Sequence, residues 1–333
     1  MNLVRAEAQR LLARRFTWVM LLMTVGILGL VLLGIALNSH RPTPAVVAQA
    51  EQRAAEQRAQ FEQMRADCER FKRDPASAPP GYPSDAPCDR MFDISQVRAE
   101  DFMPHTFGFR AEVPTLLGVL GGIVALFGFA VGASFVGAEW HSGGMTNLLL
   151  WRPRRVLVLL TKLGTVLAGV LALGAVAGAG YLAALWIIAQ TRGRVGAVDA
   201  GFWQSLGLTA ARALALAMAA AAIGFALASL GRHTATALGV GVGYLIVGQV
   251  GMSIVLGLTE VARPERFQLS GYVTAWVNNG ATFQDYSSCL GREGPCEPQT
   301  WTIGLADAAT VGSVILVLLL GAATWQMARR DVT

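Results

Sequence analysis

The sequence predicts an all-α polytopic membrane protein with six transmembrane helices, and three observations predict it. Apolar runs occupy 16–37, 113–136, 156–188, 203–230, 234–258 and 306–327. Each reaches the length of about 20 helical residues that crosses a hydrocarbon core, where a helix closes its own backbone hydrogen bonds. The chain of 333 residues is 53% hydrophobic and only 15% charged, against about 25% charged in an ordinary soluble domain. Finally, Arg content alternates between successive loops, as a chain with two distinct faces requires.

Orientation follows from that alternation. Arg5, Arg10, Arg14 and Arg15 precede the first run, and Arg152, Arg154, Arg155 and Lys162 lie at the second-to-third turn. Arg232 sits in the fourth-to-fifth turn, and Arg329 and Arg330 follow the last run. With six spans all of these share one side, which the positive-inside rule makes cytoplasmic, with both termini inside. The 38–112 loop also carries Arg, but it is too long for the rule and its Arg are balanced by Asp and Glu. The net charge of +5 therefore marks the membrane face and implies no nucleic-acid partner. Trp18, Trp140, Trp151 and Trp325 fall at inner span ends, and Trp186, Trp203 and Trp301 near outer ones, the pattern of aromatic belts.

The elements follow in order. Residues 1–15 interleave Leu3, Val4, Leu11 and Leu12 with Arg and Glu7, which predicts an amphipathic helix on the inner membrane surface. The run after it is too long for the core of a signal peptide, so 16–37 is expected to remain as the first span. Residues 38–112 form a small extracellular helical domain. Within it Val47, Ala50, Ala54, Gln57, Phe61, Met64, Cys68 and Phe71 step by three and four, a heptad seam. The seam packs either on its own domain or against a second copy. Glu69 and Arg73 stand at supporting helical spacing. Spans two to five fill 113–258, with a cytoplasmic helix expected in 139–155. Residues 259–305 form an outer segment with apolar patches that could re-enter the membrane, and 306–333 the sixth span and tail.

All four cysteines lie on the predicted outside, where thiols oxidise. Of three connectivities the local one, Cys68–Cys88 and Cys289–Cys296, is expected because each pair shares a loop; free thiols are the alternative. The sequence contains no nucleotide-binding P-loop, paired-His metal motif or nucleophile elbow. It therefore suggests no catalytic residue, no metal site and no cofactor held by this chain. Arg212, inside the fourth run, either snorkels to the outer interface or faces an internal path; Gln249 in the fifth is a second polar candidate. Gly118/Gly122, Gly128/Gly132 and Gly174/Gly178 have the four-residue spacing that permits close helix approach.

The stretch from Gly132 through Glu139-Trp140-His141-Ser142-Gly143-Gly144-Met145 to Arg152-Pro153-Arg154-Arg155, followed by Lys162 inside the next span, resembles permease subunits of ABC-2 type transporters, particularly actinobacterial ones. Gly231-Arg232-His233-Thr234 and the terminal Arg329-Arg330-Asp331-Val332 fit the same pattern, so the resemblance covers essentially the whole chain. Gly144 departs from the Thr usual at that point.

The resemblance implies a multi-pass protein of the bacterial plasma membrane. It would work as the permease of an ATP-driven exporter for a hydrophobic or amphipathic substrate such as a drug, peptide or lipid. ATP and Mg would be held by a separate ATP-binding cassette ATPase. Two permeases, a homodimer ahead of a heterodimer, would enclose the path, with membrane lipid around them. The inner turn would be a coupling helix docked on the ATPase, and Glu139, Trp140, Ser142, Gly143, Met145, Leu148, Leu149, Arg152, Arg154 and Arg155 are its candidate residues. Met145, Leu148 and Leu149 share one helical face, and the Arg cluster suits anionic headgroups. The competing readings are a signalling or structural membrane protein with an extracellular binding domain, and an intramembrane enzyme. The latter needs convergent ionisable side chains within the spans.

Overall fold

The computed structural model describes residues 2–77, 79, 87–151, 154–259, 261, 263–285 and 298–329. Its helices are α1 (Asn2–Ala13), α2 (Arg15–Asn38), α3 (Pro44–Arg73), α4 (Cys88–Met91), α5 (Phe109–His141), α6 (Gly144–Trp151), α7 (Arg155–Thr191), α8 (Ala200–Gly231), α9 (Thr234–Gly243), α10 (Met252–Leu258), α11 (Leu269–Val277) and α12 (Leu305–Arg329). Among the described residues six helices are long and apolar enough to cross a membrane: α2, α5, α7, α8, the continuous 234–258 segment and α12. Two features depart from the sequence reading. The fifth span widens to a π-helix over Tyr244–Gly251 between α9 and α10. An antiparallel pair, β1 (Ala281–Asp285) and β2 (Gln299–Ile303), precedes α12.

The chain forms two compact units. The first comprises 1–32, 110–185 and 197–333, and its core lies where α5 meets α8. A Cβ at Gly121 would stand 2.7 Å from that of Ala213, one at Gly128 2.7 Å from the Ala217 carbonyl, and one at Gly132 would overlap the Ala221 carbonyl. Small residues bring the two backbones together, because apolar lipid offers no hydrophobic drive and close packing must supply the attraction. Gly122, by contrast, faces open space. By comparison α2, the fifth span and α12 bury little of their surface within the chain, so their apolar sides are left for lipid or a partner.

In the same unit α11 begins beside the middle of the fifth span. The Leu269 N–H donates to the Tyr244 hydroxyl at 3.2 Å, and Tyr244 lies about 20 Å from the Leu258 end at 1.5 Å per residue. Gln249 Nε2 donates to Gln268 Oε1 (3.0 Å) and Ser270 Oγ (2.7 Å), and Gln268 Nε2 to Ser253 Oγ (2.7 Å). Arg212 stands 12 residues inside α8, which begins at Ala200. It donates to Asn279 Oδ1 at 3.0 Å, and its carbonyl accepts from Trp276 Nε1 at 2.9 Å. Trp301 is not a belt residue: it is buried, stacked on Phe283 and covered by the Arg266 guanidinium.

The second unit comprises 33–109 and 186–196. Thr43 caps α3 and Pro44 opens it, a position where the missing N–H costs nothing. Ala50, Ala54 and Cys68 are buried along the seam, and Phe61 meets Phe92 edge-on at 6.2 Å. Met64, expected on that seam, is exposed; Arg65 turns in beside it and pairs with Glu69 and Asp89, each at 3.4 Å. Glu69 thus does not pair with Arg73, which bonds its main-chain carbonyl instead. The Cys68–Cys88 disulfide joins α3 to α4; Cys289 and Cys296 lie outside the described residues. Buried Ser39 donates to the Arg192 carbonyl and accepts from the Phe107 N–H, both at 3.0 Å.

Candidate functional site

Four charged side chains from three helical segments converge at the end of the first unit that carries α6. Glu7 in α1, Arg14 at the α1–α2 junction, Glu139 near the end of α5 and Lys162 in α7 form a continuous chain of ion pairs. Lys162 Nζ lies 2.7 Å from Glu7 Oε2 and 2.5 Å from Glu139 Oε2. Arg14 Nη2 donates to Glu139 Oε1 at 3.2 Å and Nη1 to the Ser134 carbonyl at 2.8 Å. Arg10, half exposed, closes on Glu7 Oε1 at 3.1 Å. Glu7 and Lys162 are completely buried.

Local sequence explains the convergence. Leu3, Glu7, Leu11 and Arg14 follow steps of four, four and three, one face of a helix. Leu11 is buried, and a Cβ at Gly169 would stand 2.7 Å from its Cδ2. The missing side chain lets α1 lie flat on α7 and bring Glu7 to Lys162. The Phe135 ring supports both cations, with the Arg14 guanidinium 4.8 Å and the Lys162 ammonium 5.3 Å from its centroid. Two carboxylates and two cations make the central quartet neutral. That balance matters, since each buried ion forfeits several kcal/mol of hydration and only close partners restore it. Burial lowers the Arg14 pKa, while Glu139 and then Glu7 hold it up.

Directly beyond Glu139, α5 ends at His141 and the chain turns through Ser142 and Gly143 into α6. Gly143 has φ +72°, which a residue with a Cβ resists. Met145 is fully buried, so it seats α6 and is not on the outward face. Leu148 is half-buried, whereas Leu150 is 76% exposed and presents an apolar side chain outward. The Leu149 side chain and Arg152 lie outside the described residues. Arg154 is exposed and Arg155 half-buried at the start of α7.

The fourth-to-fifth turn braces this end. Arg232 lies over the Trp140 ring at 4.9 Å, and the His141 and His233 rings meet edge-on at 4.8 Å. A Cβ at Gly137 would stand 2.5 Å from Thr234. His233 Nδ1 accepts from the Ala235 N–H at 3.0 Å and so caps α9.

The structure thus gathers Glu139, Trp140 and Met145 at the base of α6, together with Glu7, Arg14 and Lys162, which the reading of the spans passed over. Lys162 counted there as a cation of the second-to-third turn and, through the family resemblance, as a Lys inside the next span, with no partner assigned to it. The available signal was Lys162 itself: it is one of two lysines in a chain that otherwise uses Arg, placed inside the third apolar run. Arg212 and Gln249 do not join this cluster; each bonds the segment around α11. Among the described residues no three His, Cys, Asp or Glu gather to hold a metal ion. The cluster offers no acid–base pair open to a substrate. Its geometry suits fixing the position of α6.

The family model described as ABC-2 family transporter protein matches residues 1–332 of the chain. No curated protein matches it.

Proposed function

Since the chain belongs to the ABC-2 family of transporter proteins, we propose that it is the permease subunit of an ATP-driven exporter and that α6 is its docking helix for an ATP-binding cassette ATPase. The observation that carries this reading is the build of α6. It is a short helix held by buried Met145 and by the ion cluster at Glu139, yet it leaves Leu150 exposed. An apolar side chain projecting from a fixed inner loop is what a cleft on a partner can grip. The Arg residues after α6 hold the loop against anionic headgroups. ATP and Mg belong to the partner in this reading.

The substrate is hydrophobic or amphipathic, and two copies of the chain enclose its path. The bare faces of the fifth span and α12 support an interface between copies, because apolar spans with little intrachain burial need a partner or lipid. Gln249, Gln268, Ser270 and Tyr244 place polar groups beside that face. Arg212 with Asn279 contributes a second polar point to the path.

The test is stimulation of the ATPase by the reconstituted chain. Leu150→Asp is expected to abolish ATPase binding while leaving the thermal midpoint of the purified chain unchanged, since the side chain touches little of its own protein. Normal binding by this variant would remove α6 as the docking element.

A further inference from the structure

We propose that α1 is a working part of the coupling device, and that Glu7 and Lys162 are positioning residues which carry a displacement of α6 to the first span. The inference rests on the reading of α6 as the ATPase-docking helix and extends it to an element that α6 does not touch in sequence.

Three observations converge. First, the buried pairs form an unbroken path: Glu139 at the base of α6, Lys162 in α7, and Glu7 in α1, with Arg14 returning from the α1–α2 junction to Glu139 and the Ser134 carbonyl. Apolar residues of similar volume would hold α1 at least as firmly, because buried ion pairs add little net stability. What the ions add is directional registry between α1, α5 and α7. Second, α1 is in intimate contact with α7 through Leu11 at Gly169, so the two move together. Third, α2 has few other holds. Of its 24 residues only Thr17, Thr24 and Leu28 are buried. A force on α6 therefore reaches the first span chiefly through Arg14 and α1. The Trp18 indole, donating to the Leu12 carbonyl at 2.7 Å, stiffens the junction between them.

The experiment uses the full chain reconstituted with its ATPase and reads two quantities: affinity of the ATPase for the chain, and maximal stimulation of ATP hydrolysis. Glu7→Gln keeps shape and leaves Lys162 paired with Glu139, so docking through α6 is untouched. Affinity is expected to stay within about twofold of wild type, while maximal stimulation falls about fivefold or more, the lower bound of ordinary coupling energies. A covalent tether between α1 and α7, made by oxidising Leu11→Cys and Gly169→Cys to a disulfide that occupies the space the Leu11 side chain vacates, is expected to restore stimulation in the Glu7→Gln background. The same tether in the otherwise native chain is expected to leave stimulation intact.

Full stimulation by Glu7→Gln overturns the proposal. So does weakened affinity with unchanged maximal stimulation, which marks a purely structural role. A tether that silences the native chain also overturns it, because α1 then has to slide on α7. Failure of the wild-type chain to stimulate the ATPase at all overturns the docking assignment of α6 first, a result distinct from every variant outcome.

Discussion

Lys162 has two carboxylates within 2.7 Å and no exposed surface. Its removal leaves Glu7 and Glu139 facing each other without a counter-charge. Lys162→Met, which conserves length, is therefore expected to destabilise the chain by about 3–5 kcal/mol, the cost of breaking a buried pair, read as a lowered thermal midpoint in detergent. Glu139→Ala falls under the same argument. An ordinary interfacial carboxylate could be removed without harm to the fold, but Glu139 is buried against Lys162 and Arg14. Asp199 is the opposite case, an exposed cap. Its carboxylate accepts from the Phe202 N–H at 2.9 Å and lies 3.6 Å from Arg110, and the Phe202 bond, then Arg110, hold its pKa below the ordinary carboxylate value. The folded chain thus binds that proton less readily than the unfolded one. The cap's contribution is complete above the ordinary value and is lost as pH falls through the lowered one. Amide-exchange protection in the first turn of α8 is expected to drop on acidification below about pH 4. Asp199→Asn, which keeps an acceptor, should flatten that dependence.

Among the elements, the α5–α8 contact is the most exacting. Gly132 lies against the Ala221 carbonyl and Gly224 against that of Phe129, so neither backbone can retreat without disturbing the other. Gly132→Leu is expected to cost about 1–3 kcal/mol through overpacking, lowering monodisperse yield in size-exclusion chromatography. Gly122→Leu, on the same helix but facing open space, is the control and should behave as wild type. The pairing was half legible: four-residue Gly spacings mark both helix faces alike. Which Gly meets a neighbour depends on how α5 is rotated. Helix α3 is a similar case. Its seam was readable from steps of three and four, yet Met64 fell outside the buried set because Arg65 closes on Glu69 and Asp89. No heptad count contains Asp89.

At the scale of the molecule, a permease in this family works as a membrane component, and the chain's orientation decides which loops an ATPase can reach. If both termini are inside, a membrane-impermeant thiol reagent applied to intact cells should label Arg41→Cys and spare Arg154→Cys until the membrane is opened. The reverse labelling would invert the topology and remove α6 from the cytoplasm. The two exposed positions sit in segments that the chain itself anchors: Arg41 bonds the Gln190 and Gly193 carbonyls, and Arg154 precedes α7. Neither residue belongs to the buried cluster, so the labelling reports topology without disturbing it.

Sequence by itself determined the six spans, the helical start and the family, because these depend on how many apolar residues lie in a row and on the motifs between them. Such quantities are local, and lipid imposes the same length and charge rules on every span. It also placed Glu139 and Met145 at the second-to-third turn and paired Cys68 with Cys88 inside one loop. Only the tertiary structure decided that Met145 faces inward and Leu150 outward, since apolar residues make up most of the eight-residue α6 and fall on more than one of its faces. Only it decided that Glu7 and Lys162, 155 positions apart, share a proton-bearing contact. A charge in an apolar run must find a partner or be expelled from the membrane, but sequence does not record which distant carboxylate answers it. The partner was chosen by the absence of a side chain at Gly169, which lets α1 lie close enough for Glu7 to reach.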